Sequence, residues 1–101
     1  MQFDRMDPRA IDELIESAER YEKKVPGLGD RFLDHARLAV DSIMANPETG
    51  LSTDEEGIRV VLVKRFPFRV IYDATVNPPF ILAVYHNSRR PEGWKDRIKR
   101  M

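Results

Sequence analysis

Apolar residues recur at helical spacing in two segments of the first half of the chain. Asp7-Pro8 is typical of a helix start, since an Asp side chain accepts hydrogen bonds from free N–H groups and Pro suits the first turn. The first helix, which ends at 25–27, has apolar residues three or four positions apart at Ile11, Leu14, Ile15, Ala18 and Tyr21. The second, from about Leu28 to Asn46-Pro47, has them at Phe32, Leu33, Ala36, Val40, Ile43 and Met44. The short break predicts an antiparallel helical hairpin.

Three strand-like segments follow the helices, after a polar segment at 51–57 that is predicted to be a surface loop. These segments are rich in Val, Ile, Phe and Tyr and cover residues 58–64, 68–74 and 80–86. Short connections at 65–67 and 77–79 favour an antiparallel meander. Residues 2–6 are interpreted as a further short strand. The sequence therefore predicts a single α+β domain over 1–101, in the order β-α-α-β-β-β, with the hairpin packed on an antiparallel sheet of three to four strands.

The two halves of the chain carry opposite charge, although the whole chain is neutral. Residues 1–56 hold 7 Lys and Arg against 14 Asp and Glu, a net −7, whereas residues 57–101 hold 10 against 3, a net +7. This asymmetry indicates an anionic partner for the basic half. The simpler alternative is that acidic helix faces and scattered strand arginines are merely solvated.

Several classes of function lack the residues that they need. The chain has no cysteine, no Gly-rich phosphate loop, no His-x-x-x-His pair and no G-x-S-x-G motif. We therefore expect neither a metal nor another cofactor. The first residues lack the apolar segment of a signal peptide, and the longest apolar run, 78–85, is too short to cross a bilayer. A soluble cytoplasmic protein without a membrane partner is expected.

Four residues near the ends of the last two strands are candidates for phosphate chemistry. In a meander, Arg69 approaches the Arg89-Arg90 pair on the exposed part of the sheet. Guanidinium groups so placed bind phosphate oxygens or stabilise charge that develops on them. Histidine is the residue type that most often serves as a general acid or base, which makes His86 a candidate for proton transfer. The alternative is that Arg69 pairs with an acidic side chain and that His86 has no chemical role.

Other basic and aromatic residues of the second half are candidates for contacts with a target or an inhibitor. Trp94 is suited either to stack against a base or to anchor the tail on the domain. The set comprises Arg59, Lys64, Arg65, Trp94, Lys95 and Arg97.

Three segments of the chain, in this order, together resemble the RelE/ParE family of bacterial toxins. AERYEKKVPGLGDRFLDHARLAVDSIMANP is similar to the helical hairpin of that family, and RVVLVKRFPFRVIYD is similar to its two central strands. ILAVYHNSRRPEGWKDR is similar to its last strand and tail, in which His, paired Arg, Pro and Trp recur. The resemblance spans nearly the whole chain.

The resemblance implies the toxin of a type II toxin–antitoxin pair, with a cognate antitoxin that wraps and blocks it. RelE-like members cleave mRNA on the ribosome without a metal; Arg69 and Arg89 or Arg90 match their arginines. ParE-like members bind DNA gyrase instead. Trp94 stands where a RelE-like catalytic Tyr is expected, and the Pro-Gly-Leu-Gly break and RRPEGW tail favour the ParE-like branch. A fold that is kept only to bind the antitoxin is the third alternative.

Overall fold

Two helices precede a four-stranded sheet in the computed structural model, which describes residues 1–90 and 92–98. Pro91, part of the RRPEGW motif, and the basic end of the tail at 99–101 lie outside the described residues. The elements are α1 (Pro8–Lys24), α2 (Leu28–Ala45), β1 (Leu51–Ser52), β2 (Ile58–Leu62), β3 (Phe68–Asp73) and β4 (Phe80–His86). All neighbouring strands are antiparallel, in the order β1-β2-β3-β4. The predicted α+β class and the order of helices before strands are confirmed.

The helical hairpin forms where the sequence predicts it, because the start of each helix has hydrogen-bond acceptors for its free N–H groups. Asp7 accepts a hydrogen bond from the Arg9 N–H at 2.9 Å, and Pro8 occupies the first helical position. Between the helices Gly27 adopts a φ of 87°, which a residue with a Cβ adopts only at a cost. The Glu22 carboxylate accepts the N–H of Gly27 at 2.8 Å and that of Gly29 at 3.0 Å. These bonds satisfy donors that the start of α2 leaves free.

The main core lies between the hairpin and one face of the sheet. Phe32 is at its centre, with ring centroids 4.9 Å from Phe68 and 5.3 Å from both Tyr21 and Phe66. One predicted member is wrong, since Ile15 is 45% exposed and Ser17 is buried instead. Other buried members of this core are Met6, Ala10, Leu14, Ala18, Ala36, Ala39, Val40, Ile43, Val63, Val70, Tyr72, Ile81 and Val84.

Two local predictions are corrected by the structure. The predicted N-terminal strand is a 3-10 turn at Phe3–Arg5 with one parallel bridge from Met6 to Ile81, since the turn's N–H groups bond locally. The predicted loop at 51–57 begins with β1, which pairs with part of β2. The Tyr72 hydroxyl fixes the segment just before β1, because it accepts a hydrogen bond from the Gly50 N–H at 3.0 Å and donates one to the Pro47 carbonyl at 2.6 Å.

The second face of the sheet is covered by the tail, defined here as residues 92–98. Trp94 and Ile98 pack against a smaller cluster of buried side chains on that face. The cluster contains Ile58, Ile71, Leu82, Ala83 and Tyr85. The sequence predicts a cover for only one face of the sheet, namely the helical hairpin. The tail therefore determines which residues on the second face stay accessible.

Candidate functional site

Three arginines surround the buried ring of Tyr85 on the face that the tail covers. Arg69 is the partner of Tyr85 in the β3–β4 register. The guanidinium carbon of Arg89 lies 3.8 Å from the centroid of the Tyr85 ring, and those of Arg97 and Arg69 lie at 5.4 Å and 5.9 Å. Arg69 also donates to the Arg89 carbonyl at 3.3 Å. The structure thus brings Arg69 and Arg89 together and adds Arg97, so we call these three residues the guanidinium cluster.

Glu13 of α1 neutralises part of the guanidinium cluster. Its Oε2 accepts from Arg89 at 2.8 Å and from Arg97 at 2.9 Å, and its Oε1 accepts a second bond from Arg97 at 2.9 Å. The Arg97 side chain is only 8% exposed, and its bonds to Glu13 raise the pKa of its guanidinium further. Two of the three cations therefore bind an internal carboxylate, and only Arg69 keeps its charge unpaired among the described residues.

Glu13 and Arg97 also close the outer edge of β4. The Val84 N–H donates to Glu13 Oε1 at 3.1 Å, and Arg97 donates to the Leu82 carbonyl at 3.0 Å. The Asp7 N–H donates to the Ile81 carbonyl at 2.8 Å. Backbone groups that a fifth strand would otherwise bind are thus satisfied by side chains and by one N–H of the helix cap.

His86 lies on the opposite face of the sheet from Arg69. Neighbouring residues of a strand point to opposite faces, and the register pairs Tyr85 with Arg69 and His86 with Phe68. The His86 ring meets the Phe68 ring edge-on, with centroids 5.1 Å apart, on the side of the helices. Its Nδ1 accepts the Ser88 N–H at 3.0 Å and lies 2.7 Å from the Ser88 hydroxyl. The structure therefore separates His86, the predicted proton-transfer group, from Arg69, whereas His86 and Arg89 line one cavity on the helix side of the sheet.

Three of the remaining predicted residues are exposed cations at the rim of the sheet. Lys64 and Arg65 occupy the turn between β2 and β3, where Arg65 adopts a positive φ of 68°. Arg90 follows the last strand. Their charged groups form no ion pair within residues 1–90 and 92–98. These three cations are available to an external partner.

Three other predicted residues support the structure instead. Trp94 is 4% exposed and anchors the tail, as the second of its two interpretations required. Arg59 donates to the Gly50 carbonyl at 2.7 Å and so supports the segment before β1. Lys95 binds Asp54 at 2.9 Å across the surface, and this contact raises the pKa of Lys95 and lowers that of Asp54.

Sequence reasoning missed Glu13. It assigned the helix acids to solvated faces, because an acid between apolar positions of an amphipathic helix carries no local sign of a distant partner. The arginines that Glu13 binds follow it by 76 and 84 positions. Only the three-dimensional fold shows that these charges meet.

Comparisons with known proteins add no family to this description. Neither the scan against models of protein families nor the search of curated proteins finds a match to the chain. Within the part of the chain that the structure describes, no helix is both long and apolar enough to cross a membrane. In the same residues, no group of three or more His, Asp or Glu is placed to hold a metal ion.

Proposed function

We propose that the chain is the toxin of a type II toxin–antitoxin pair and that it acts by binding its target, as ParE-like members do. The resemblance of three ordered segments to that family supports the toxin assignment. The helical hairpin followed by an antiparallel sheet is compatible with it. The proposed target is DNA gyrase, and the proposed site of action is the cytoplasm.

The separation of His86 from Arg69 is the observation that favours binding of a target over cleavage of RNA. A general acid or base must come within about 3 Å of the proton that it moves, and a phosphate-stabilising donor must reach the same reacting group. Arg69 and His86 leave opposite faces of the sheet. Arg89 is paired with Glu13, and Arg90 is exposed beyond the strand. The four residues proposed for catalysis therefore do not all reach one phosphate, since Arg69 lies on the opposite face from His86, although His86 and Arg89 line one cavity on the helix side.

The exposed cations are the proposed contact surface for the target and for the antitoxin. Lys64, Arg65 and Arg90 remain accessible at one rim, and Arg69 is partly exposed. An acidic, unfolded segment of an antitoxin would gain affinity and speed of association from these charges as it orders on them. The tail already covers the apolar part of this face. We therefore expect the antitoxin to bind the rim and the outer side of the tail.

One observation favours the second candidate, a RelE-like endonuclease that cuts mRNA on the ribosome. A cleft of about 340 Å³ on the tail side is lined by three cations, Arg69, Arg89 and Lys95, and by two carboxylates, Asp54 and Glu92. The excess of cations is suited to an RNA backbone. His86 does not line the cleft. Cleavage of RNA in this cleft would therefore need another residue of its lining to transfer the proton.

Expression of the chain without an antitoxin separates the candidates. A gyrase poison should induce the DNA-damage response, leave transcripts intact and inhibit supercoiling by purified gyrase. The His86→Gln variant should then keep its full effect, whereas the double variant Lys64→Ala/Arg65→Ala should lose affinity for gyrase. Glu16→Gln, which removes an exposed charge from α1, is the control.

The opposite results would support the alternatives. Codon-specific cuts on programmed ribosomes, with a roughly 10²–10⁴-fold loss in His86→Gln, would establish general acid–base catalysis and end the binding proposal. A chain that binds the product of a neighbouring gene without affecting growth, gyrase or mRNA would be an antitoxin-binding remnant. In that case the proposed toxicity is wrong.

A further inference from the structure

A separate cavity on the helix side of the sheet has a lining rich in hydrogen-bond donors. Its volume is about 350 Å³, and it lies between the second half of α1 and the end of β4. Arg20 and Lys24 form its helical wall, and His86, Ser88 and Arg89 form its opposite wall. The proposed contact surface at Lys64, Arg65 and Arg90 lies elsewhere. We infer that this cavity binds a phosphate ester.

The charged side chains that line the cavity are all cations. The Arg20 guanidinium donates a hydrogen bond to the Ser17 hydroxyl at 3.4 Å, and neither Arg20 nor Lys24 forms an ion pair within residues 1–90 and 92–98. Arg89 contributes less, since Glu13 already binds it at 2.8 Å. Two unpaired cations on successive turns of one helix face leave a net positive charge that an anion would neutralise.

His86 adds a third donor to the lining because of its contact with Ser88. A backbone N–H can only donate, so Nδ1 of His86 must accept the Ser88 N–H at 3.0 Å. In the neutral ring Nε2 then carries the hydrogen. The imidazole therefore presents an N–H donor, as a phosphate oxygen requires, even without a positive charge.

Glu13 and Glu16 lie near these cations but form no ion pair with Arg20 or Lys24 within residues 1–90 and 92–98. The two carboxylates line an adjoining cavity of about 260 Å³, which shares Arg20, His86 and Arg89 with the phosphate cavity, but neither lines the phosphate cavity itself. Both oxygens of Glu13 already accept bonds from arginine. Arg, Lys and hydroxyl donors around one space match the several oxygens and the charge of a phosphate better than those of a single carboxylate. The volume is also large enough to admit a group esterified to the phosphate.

Titration of the full chain, followed by amide NMR shifts, tests the inference. The probes are inorganic phosphate, a 5′-mononucleotide and an oligonucleotide without a terminal phosphate, with acetate at equal ionic strength for comparison. We expect saturable shifts around Ser17, Arg20 and Ser88. Each of Arg20→Ala and Lys24→Ala should weaken binding roughly tenfold or more, the usual effect of losing a hydrogen bond to a charged group. Lys23→Ala removes the same charge from the same turn but not from the lining, and should change little.

The probes distinguish the sources of the phosphate. Tighter binding of the mononucleotide supports a free nucleotide, and tighter binding of the oligonucleotide supports a nucleic-acid backbone. The inference is overturned if no probe gives saturable shifts, if acetate binds as well as phosphate, or if Lys23→Ala weakens binding as much as Arg20→Ala. Because none of these measurements involves gyrase, mRNA or an antitoxin, their outcome is independent of the proposed toxicity.

Discussion

Replacing Glu13 with Gln should destabilise the fold more than any other change of a single charge on α1. Glu13 accepts four hydrogen bonds through its two oxygens, from Val84, Arg89 and twice from Arg97. A Gln side chain keeps one oxygen and turns an NH₂ group, which cannot accept, towards guanidinium donors. Arg97, a buried residue of the tail, would then keep its charge without a counter-ion.

The size of the effect follows from the exposure of each partner. Removing one partner of a buried ion pair costs about 3–5 kcal/mol. The side chains of Glu13 and Arg97 are 14% and 8% exposed, so the pair is not completely buried. We therefore expect the loss of this ion pair to lower the free energy of unfolding by about 3 kcal/mol, the lower limit of that range. Arg89 is 48% exposed, so its bond to Glu13 adds only about 0–1 kcal/mol. A loss of about 3 kcal/mol is a large part of the 5–15 kcal/mol typical of a domain.

Urea unfolding followed by circular dichroism measures this loss. With a slope of about 1.5 kcal/mol/M, the midpoint of Glu13→Gln should fall by about 2 M, while Glu16→Gln should change it little. The double variant Glu13→Leu/Arg97→Met should recover only part of the loss, since it buries no unpaired charge but leaves the Val84 N–H and the Leu82 carbonyl without these partners. A Glu13→Gln midpoint equal to that of Glu16→Gln would show that solvent already screens the pair and would refute this reasoning.

Three further changes test the tail, the helix cap and the core. In Gly93→Ala the new Cβ would lie 2.7 Å from the Tyr85 hydroxyl. We therefore expect the free energy of unfolding, measured by thermal unfolding, to fall by about 1–3 kcal/mol. An unchanged melting temperature would contradict this packing. Asp7→Ala should cost about 1 kcal/mol at pH 7. The hydrogen bond from Arg9 holds the pKa of Asp7 in the folded protein below 3.8. The difference in the free energy of unfolding between the wild-type protein and Asp7→Ala should therefore persist above pH 4 and vanish as the pH falls through that lower pKa. A difference that does not change with pH would show that the Asp7 carboxylate does not contribute to stability in this way. Phe32→Ala should cost about 3–5 kcal/mol in urea unfolding, and a smaller loss would mean that the aromatic cluster refills the space.

The elements that sequence predicted well are those whose signal is local. The helix start at Asp7-Pro8 and the bounds of β4 follow from capping chemistry and from a continuous apolar run. Ile15 was misplaced because it borders the apolar stripe, while the small Ser17 fits beneath the sheet. β1 was missed because its two residues are held by the ladder to β2 and by the Tyr72 hydroxyl, which are long-range contacts.

The candidate site was less accessible to sequence analysis because it depends on which face each residue occupies. Alternation along β4 separates Tyr85 from His86, but the alternation alone does not show which face the tail covers. The proximity of Arg69 and Arg89 was anticipated from the meander. The carboxylate of Glu13 was not, and it changes the net charge that Arg89 offers to a ligand.

Because side chains bind backbone groups at one edge of the sheet, two copies of the chain can pair strand to strand only through the other edge. Three backbone groups at the outer edge of β4 are bound by Glu13, Arg97 and Asp7, whereas β1 pairs only with Arg59 and Val60 and leaves the far end of β2 uncovered. A fibre grows only if each copy offers two open edges, one for each neighbour. Copies that met through β2 could form only a closed twofold pair. Opening the β4 edge by mutation would supply the second edge and convert a self-limiting contact into one that propagates.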